Sequence, residues 1–341
     1  MQSGKLIPTM TDVAAMAGVS TQTVSRVLNG QPFVSKETLL KVNQAIAILD
    51  YRRNLTARAL VTGSSRVIGT LVTKPTMAGP SGATLAIEQT ARARGYWISL
   101  AGLQSNDPDE NYKVISHFVD QGVAGIIAVA QTQVCVDTTL EAAKGMPLVL
   151  VTSGNVPKGH TTVDIDQAGS VKQLMTMLVD LGHARIAHVS GPRGDLHAEV
   201  RQEAWRQALP AGQSPDELLV EGDWSSTTGY TATLSLLGLD EPPTAIFSGN
   251  DEMAFGVLRA LYEHGLKVPE DISVVGFDNI AGTDCSIPPL TTIRQNHDAL
   301  GLAAMELLVD ALDHKPARNI KIPGELIVRA STAPPPTRRG G

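Results

Sequence analysis

TDVAAMAGVSTQTVSRVLNG, residues 11–30, carries two short apolar periodicities separated by a turn. Val13, Ala14 and Ala17 fall on one face of a first helix, and Val24, Val27 and Leu28 on one face of a second. Gly18 stands where a helix ends in a left-handed residue, and Ser20 is placed to cap the next helix through its hydroxyl. Thr21, Gln22, Ser25 and Arg26 then point outward from the N-terminal half of the second helix. Such side chains meet base edges in a DNA major groove, the geometry of a helix-turn-helix. An ordinary hairpin of amphipathic helices has the same periodicity, so the pattern alone leaves both readings open.

Working outward, Ser35 opens a third helix in which Leu39, Val42, Ile46 and Leu49 recur at helical spacing. Three such helices make a minimal core of roughly 50 residues. Residues 1–63 carry a net charge of +4, the remainder −10, within a 341-residue chain of −6. A cationic head on an anionic body fits a nucleic-acid contact confined to one end. There is no charged-then-apolar leader and no apolar run long enough to span a bilayer, so a cytoplasmic setting is expected. Cys135 and Cys285 have neither metal-ligand nor redox spacing. No metal and no cofactor is expected.

After Ser64 the pattern changes. RVIGTLVT (66–73), YWISLAG (96–102), GIIAVA (125–130) and PLVLVT (147–152) are short apolar runs. They alternate with helical stretches at 83–94, 111–121 and 138–143. A second set follows: RIAHVSG (185–191), AIFSG (245–249) and ISVVGF (272–277), with helices near 170–181, 198–209, 228–237 and 253–264. A last helix covers 298–312. Apolar strands separated by helices imply parallel sheets buried on both faces.

Blocks along the chain carry a family resemblance: residues 11–30 above, VSKETLLKVNQAIAILDY from Val34, NLTARAL from Asn54, GHARIAHVSGP from Gly182, FSGNDEMAFG from Phe247, VPEDISVVGFDN from Val268 and IPPLTTIRQ from Ile287. In this order they resemble the lactose-repressor/galactose-repressor (LacI/GalR) family over residues 9–333. The resemblance implies a small all-α helix-turn-helix headpiece joined to an α/β, periplasmic-binding-protein-like core of two parallel-sheet subdomains. The expected divisions are a headpiece at 1–53, a hinge at 54–63, a core at 64–333 and a disordered tail at 334–341. Within the core, 64–164 and 294–320 form one subdomain, and 165–293 and 321–333 the other.

Ligands in such folds bind beyond the carboxyl ends of the strands, in the crevice between the units. Thr152, Asn250 and Asp278 follow strands, Arg201 lies in the helix after SGPRGDLHAE, and Trp224 lies in the loop GDWSS. A sugar needs paired donors and acceptors and an aromatic face. Arg201, Trp224, Asn250 and Asp278 supply both, and each matches an effector-contacting position of the family. Thr152 stands where the family's lactose-type pattern has a carboxylate, and His297 where it has an aromatic ring. A galactoside or other small glycoside is the expected effector class.

The family match further implies that Thr21, Gln22 and Arg26 read bases. Ser20, Thr23, Ser25 and Asn29 would contact phosphates of a pseudo-palindromic operator, bound by a homodimer. In the hinge, Leu60 would wedge into the central base step, with Asn54 and Arg58 near the groove walls. Arg53 replaces the proline usual in the family before Asn54, so the first turn of the hinge helix lacks that residue's pre-set backbone angle. The competing classes are a transport sugar-binding module and an enzyme. No dinucleotide, phosphate-loop, zinc-protease or nucleophile-elbow motif supports the latter.

Overall fold

The computed structural model describes residues 8–29, 31, 32, 34–52, 65–105 and 107–336. The chain divides into two compact units, Met1–Ser65 and Arg66–Gly341.

The first unit contains α1 (Met10–Ala17), α2 (Thr21–Leu28) and α3 (Lys36–Leu49). Each begins at a hydroxyl cap: Thr9 accepts from the Asp12 amide, Ser20 from Thr23 and Ser35 from Thr38. These side chains satisfy amides that the first helical turn leaves unpaired. Gly18 ends α1 at φ 67°, a conformation that costs glycine nothing and lets α2 leave at a sharp angle. Val13, Ala14, Ala17, Val24, Val42 and Ala45 make the buried centre, with Val27, Leu28, Ile46 and Leu49 packed around it. Leu39, expected in the core, is 42% exposed. The first turn of α3 leaves every residue but Thr38 exposed, so the apolar face of this small unit begins at Val42.

The second unit is built from β1 (Val67–Thr73), α4 (Ala78–Ala93), β2 (Trp97–Leu103), α5 (Pro108–Asp120), β3 (Gly125–Val129), α6 (Gln133–Ala142), β4 (Leu148–Val151) and β5 (Thr161–Ile165). There follow α7 (Gln167–Asp180), β6 (Ile186–Ser190), α8 (Leu196–Ala208), α9 (Pro215–Leu218), β7 (Leu219–Glu221), α10 (Ser226–Leu237), β8 (Ala245–Ser248), α11 (Asp251–Glu263) and β9 (Ser273–Val275). The chain closes with β10 (Thr292–Arg294), α12 (His297–Leu312), β11 (Asn319–Ile322) and β12 (Glu325–Ile327).

One sheet runs β11-β5-β4-β3-β1-β2 and the other β7-β6-β8-β9, all pairs parallel. Helices cover both faces of the first sheet: α4 and α12 pack on one side, α5 and α6 on the other. The central strands β3 and β6 are buried along their whole length; β3 accordingly reads as an unbroken apolar run, whereas β6 also buries His188 and Ser190. The chain leaves the first lobe between β5 and α7, returns between β10 and α12, and crosses again between β11 and β12. The antiparallel pair β10–β12 lies at these crossings.

Several elements depart from the sequence expectation. β5, TTVDI, has no apolar run, and β7, β10, β11 and β12 are only three or four residues long. α6 starts at Gln133, five residues before the expected start at 138, where Thr132 caps it by accepting from the Cys135 amide, and its buried face includes Cys135 and Val136. Residues 334–336, expected in a disordered tail, are placed, and Pro335 packs at Gly182. No helix among the described residues is long and apolar enough to cross a membrane.

Candidate functional site

In the first unit Thr21, Gln22 and Arg26 are exposed on one side of α2, as are Ser20 and Asn29 at its two ends. Thr23 and Ser25 are half-buried. The polar side chains beside the exposed trio hold one another. Ser20 Oγ lies 3.0 Å from Thr23 Oγ1, and Asn29 Nδ2 donates to Ser25 Oγ at 3.3 Å. Arg26 makes no ion pair among the described residues, which leaves its fork of donors available for a guanine edge. Asn54, Arg58 and Leu60 lie outside the described residues.

In the second unit a cleft between the lobes is lined by residues from both, including Met77, Val129, Val151, Asp164, Arg201 and Trp224. Its empty volume, open mouth included, is about 590 Å³. Arg201, on α8, is buried beneath it. Its Nε donates to Gln167 Oε1 at 2.8 Å, its Nη1 donates to the Gly249 carbonyl, and its Nη2 lies 3.7 Å from Asp278 Oδ1. The guanidinium carbon also stands 3.6 Å from the centre of the Phe277 ring. Burial disfavours the charge of Arg201, opposed first by Asp278, but a guanidinium keeps its proton in proteins.

Asp278 is pushed up to about 6, by burial first and against the pull of Arg201. Gln295 Nε2 donates to its Oδ1. Behind it, Asp251 is pushed up to about 8 by burial and then by the charge on Asp278. Asp251 accepts from Thr292 Oγ1 at 2.7 Å and from the Ile280 amide at 3.0 Å. An aspartate whose folded value is raised contributes stability that is present at low pH and is lost as pH rises toward that value. The core is therefore expected to lose stability between pH 4 and 8 through Asp251, and Asp251→Asn should flatten that slope. Urea midpoints at pH 5, 7 and 9 measure the difference; identical slopes for both proteins would contradict the assignment.

Trp224 forms a wall of the cleft, its Nε1 donating to Asp195 Oδ2 at 3.3 Å. The ring lies so close to Gly191 that a Cβ there would stand 2.1 Å from Trp224 Cζ2, so glycine is required. Trp224 and Asp278 hold φ of 75° and 119°. Side chains in that region cost on the order of 1–3 kcal/mol each and persist only where the surroundings over-determine them, commonly at binding sites. Asn250 caps α11 by accepting from the Met253 amide, while its Nδ2 donates to the Trp224 carbonyl at 3.0 Å. It ties the indole loop to the helix and lines the cleft as well.

His297 opens α12, half-buried, and lines the cleft from the other lobe. Burial lowers its proton affinity. Thr152 is the exception. Side chains alternate along a strand, and it is Val151 that lines the cleft. Thr152 lies just past β4, buried, its Oγ1 accepting from the Gly154 amide at 3.0 Å. The wall at β4 is thus apolar.

The sequence reading passed over Gln131, Asp164, Asp195, His197 and Gln295, all of which line the cleft. His197 precedes Arg201 by one helical turn, so the i, i+4 spacing places both on one face of α8. Asp195 caps α8, its Oδ1 accepting from the His197 and Ala198 amides at 3.1 and 3.2 Å. These two were discoverable from helix start signals. Asp164 lies on β5 at the expected crossing between lobes, but nothing in TTVDI itself marks its side chain as facing the cleft.

A capped recognition-type helix on one unit and a two-lobed cleft with a guanidinium–carboxylate pair and an indole wall on the other define a ligand-responsive DNA-binding regulator. Comparison with known proteins makes the assignment specific. Residues 9–54 match the family described as bacterial regulatory proteins, lacI family, and residues 156–332 the periplasmic binding protein-like domain. The chain belongs to the LacI family. It is 33% identical to the lactose operon repressor of Escherichia coli (strain K12), over 97% of this chain and 92% of that protein. It is 36% identical to the ribose operon repressor of the same strain, over 90% of this chain and 92% of the relative. It is also similar to the crystal structure of the lac repressor dimer bound to operator and the anti-inducer ONPF. That match has a TM-score of 0.87 and 31% identity, and covers 96% of this chain and 99% of the other.

Proposed function

We propose that the chain is a cytoplasmic, homodimeric transcriptional repressor whose operator affinity is set by a small sugar or glycoside in the cleft. The observation that carries the reading is the Arg201–Asp278 pair beside Trp224, at the meeting of two lobes attached to a helix-turn-helix headpiece. Paired donors and acceptors suit vicinal hydroxyls, and the indole suits the apolar face of a sugar ring. The relatives named above, repressors of the lactose and ribose operons, support the same class. Thr21, Gln22 and Arg26 are assigned base contacts; Ser20, Thr23, Ser25 and Asn29 are assigned phosphate contacts. Asn54, Arg58 and Leu60 are assigned to the hinge, which couples the cleft to the DNA.

A ligand shifts operator affinity only through unequal affinity for the two arrangements of the lobes. The test is fluorescence anisotropy on pseudo-palindromic sites selected from genomic DNA, with and without a sugar panel. Nanomolar binding that changes when a sugar is added is the expected outcome. A transport module would bind sugar and ignore DNA.

A further inference from the structure

We infer that the cleft selects an uncharged polyhydroxylated ligand and rejects phosphorylated or carboxylated sugars, with Gln131 a specificity-determining residue on the first lobe's wall. The inference rests on the sugar reading above and narrows it.

Charge balance carries the first half. Arg201 and His197 of the cleft lining and the neighbouring Lys74 each stand beside a carboxylate, and burial lowers the proton affinity of His297, the remaining basic group of the lining. Arg201 Nη2 stands 3.7 Å from Asp278 Oδ1, His197 Nε2 3.2 Å from Asp164 Oδ1, and Lys74 Nζ 3.9 Å from Asp195 Oδ2. The carboxylates are further occupied: Asp164 accepts from Ser153 Oγ, Asp195 from Trp224 Nε1, and Asp278 from Gln295 Nε2. Glu252, which donates no charge relief but accepts from Asn250 Nδ2, adds another negative group near Asp278. A phosphate or uronate in this space would bring a charge with no free cation to meet it. Buried charge without a partner is strongly disfavoured, and like charges repel across a low-dielectric gap.

Gln131 carries the second half. It lies two residues past β3, is 5% exposed, lines the cleft, and its Oε1 has no hydrogen-bond partner among the described residues. A buried acceptor left open is costly unless a donor arrives. A sugar hydroxyl supplies one; an ionised phosphate oxygen has no proton to give. The backbone of Gln131 is held independently of its side chain, its amide donating to Thr73 Oγ1 at 3.2 Å and its carbonyl accepting from the Leu196 amide at 2.9 Å. Substitution of the side chain therefore leaves the chain path intact.

The experiment is isothermal titration of the full chain with matched pairs: galactose and galactose 6-phosphate, ribose and ribose 5-phosphate, glucose and glucuronate, with lactose and cellobiose as neutral disaccharides. At least one neutral member should bind, and its charged partner should bind at least about a hundredfold more weakly. Gln131→Leu and Gln131→Met, each checked for an unchanged thermal midpoint, should weaken the neutral sugar about tenfold. A charged member that binds as well as its parent overturns the charge assignment while the sugar reading stands. Unchanged affinity in both Gln131 variants overturns the role of that residue. Binding by no sugar overturns the sugar reading itself, and this inference with it.

Discussion

Arg201→Met is expected to abolish effector binding and to destabilise the core by about 3–5 kcal/mol at pH 8, the cost of breaking a buried ion pair from one side. Methionine retains much of the packing over Phe277 but leaves Asp278 beside Gln295 and Asp251 without its principal counter-charge. The loss should be smaller at pH 5.5. Asp278 already stands at about 6 with Arg201 beside it, and without the guanidinium its proton affinity rises further. A raised aspartate is neutral at low pH, so the variant's stability falls as pH increases. A pH-independent loss would mean that packing, rather than charge, is what Arg201 supplies. Denaturant titration at the two pH values separates the cases, and calorimetry with whichever sugar binds the parent protein reads the ligand.

Arg26→Ala costs about 1–3 kcal/mol at the operator and relaxes base preference at one position of each half-site. The side chain is exposed on α2 and unpaired with any carboxylate among the described residues, so its removal disturbs no internal contact. Thermal stability of the protein should not change. A phosphate contact would behave otherwise, weakening all sequences about equally and reducing the salt dependence of binding. Binding to a randomised half-site library, read by sequencing at two salt concentrations, separates the two roles.

Much of the DNA-facing end was legible because its signals are local. Ser20 and Ser35 cap within three residues of themselves, and Gly18 declares its left-handed turn by being glycine. The misplacement of Leu39 shows the limit of such signals. Helical periodicity says which residues share a face, but the extent of the neighbouring helices decides how much of that face is covered. The cleft was legible in proportion to how far each residue's role is local. Asn250 caps the helix that it opens, and Arg201 follows a recognisable strand–loop–helix block. Thr152 was misread by one position, enough on a strand to turn a side chain away from the site.

The sequence alone determined the headpiece, the α/β class of the core, the two-lobed plan and the identity of Arg201, Trp224, Asn250, Asp278 and His297 as cleft residues. Each follows from a short-range pattern or from blocks kept in order along the chain. Tertiary structure alone decided that Asp164 on β5 meets His197 on α8 at 3.2 Å, that Lys74 reaches Asp195, and that Gln131 is left with an open acceptor. Those pairs join residues 33 and 121 positions apart, brought together only when the chain has crossed between lobes. Charge balance in a buried cleft is a property of that meeting, because the energy of a charge depends on which groups surround it in space.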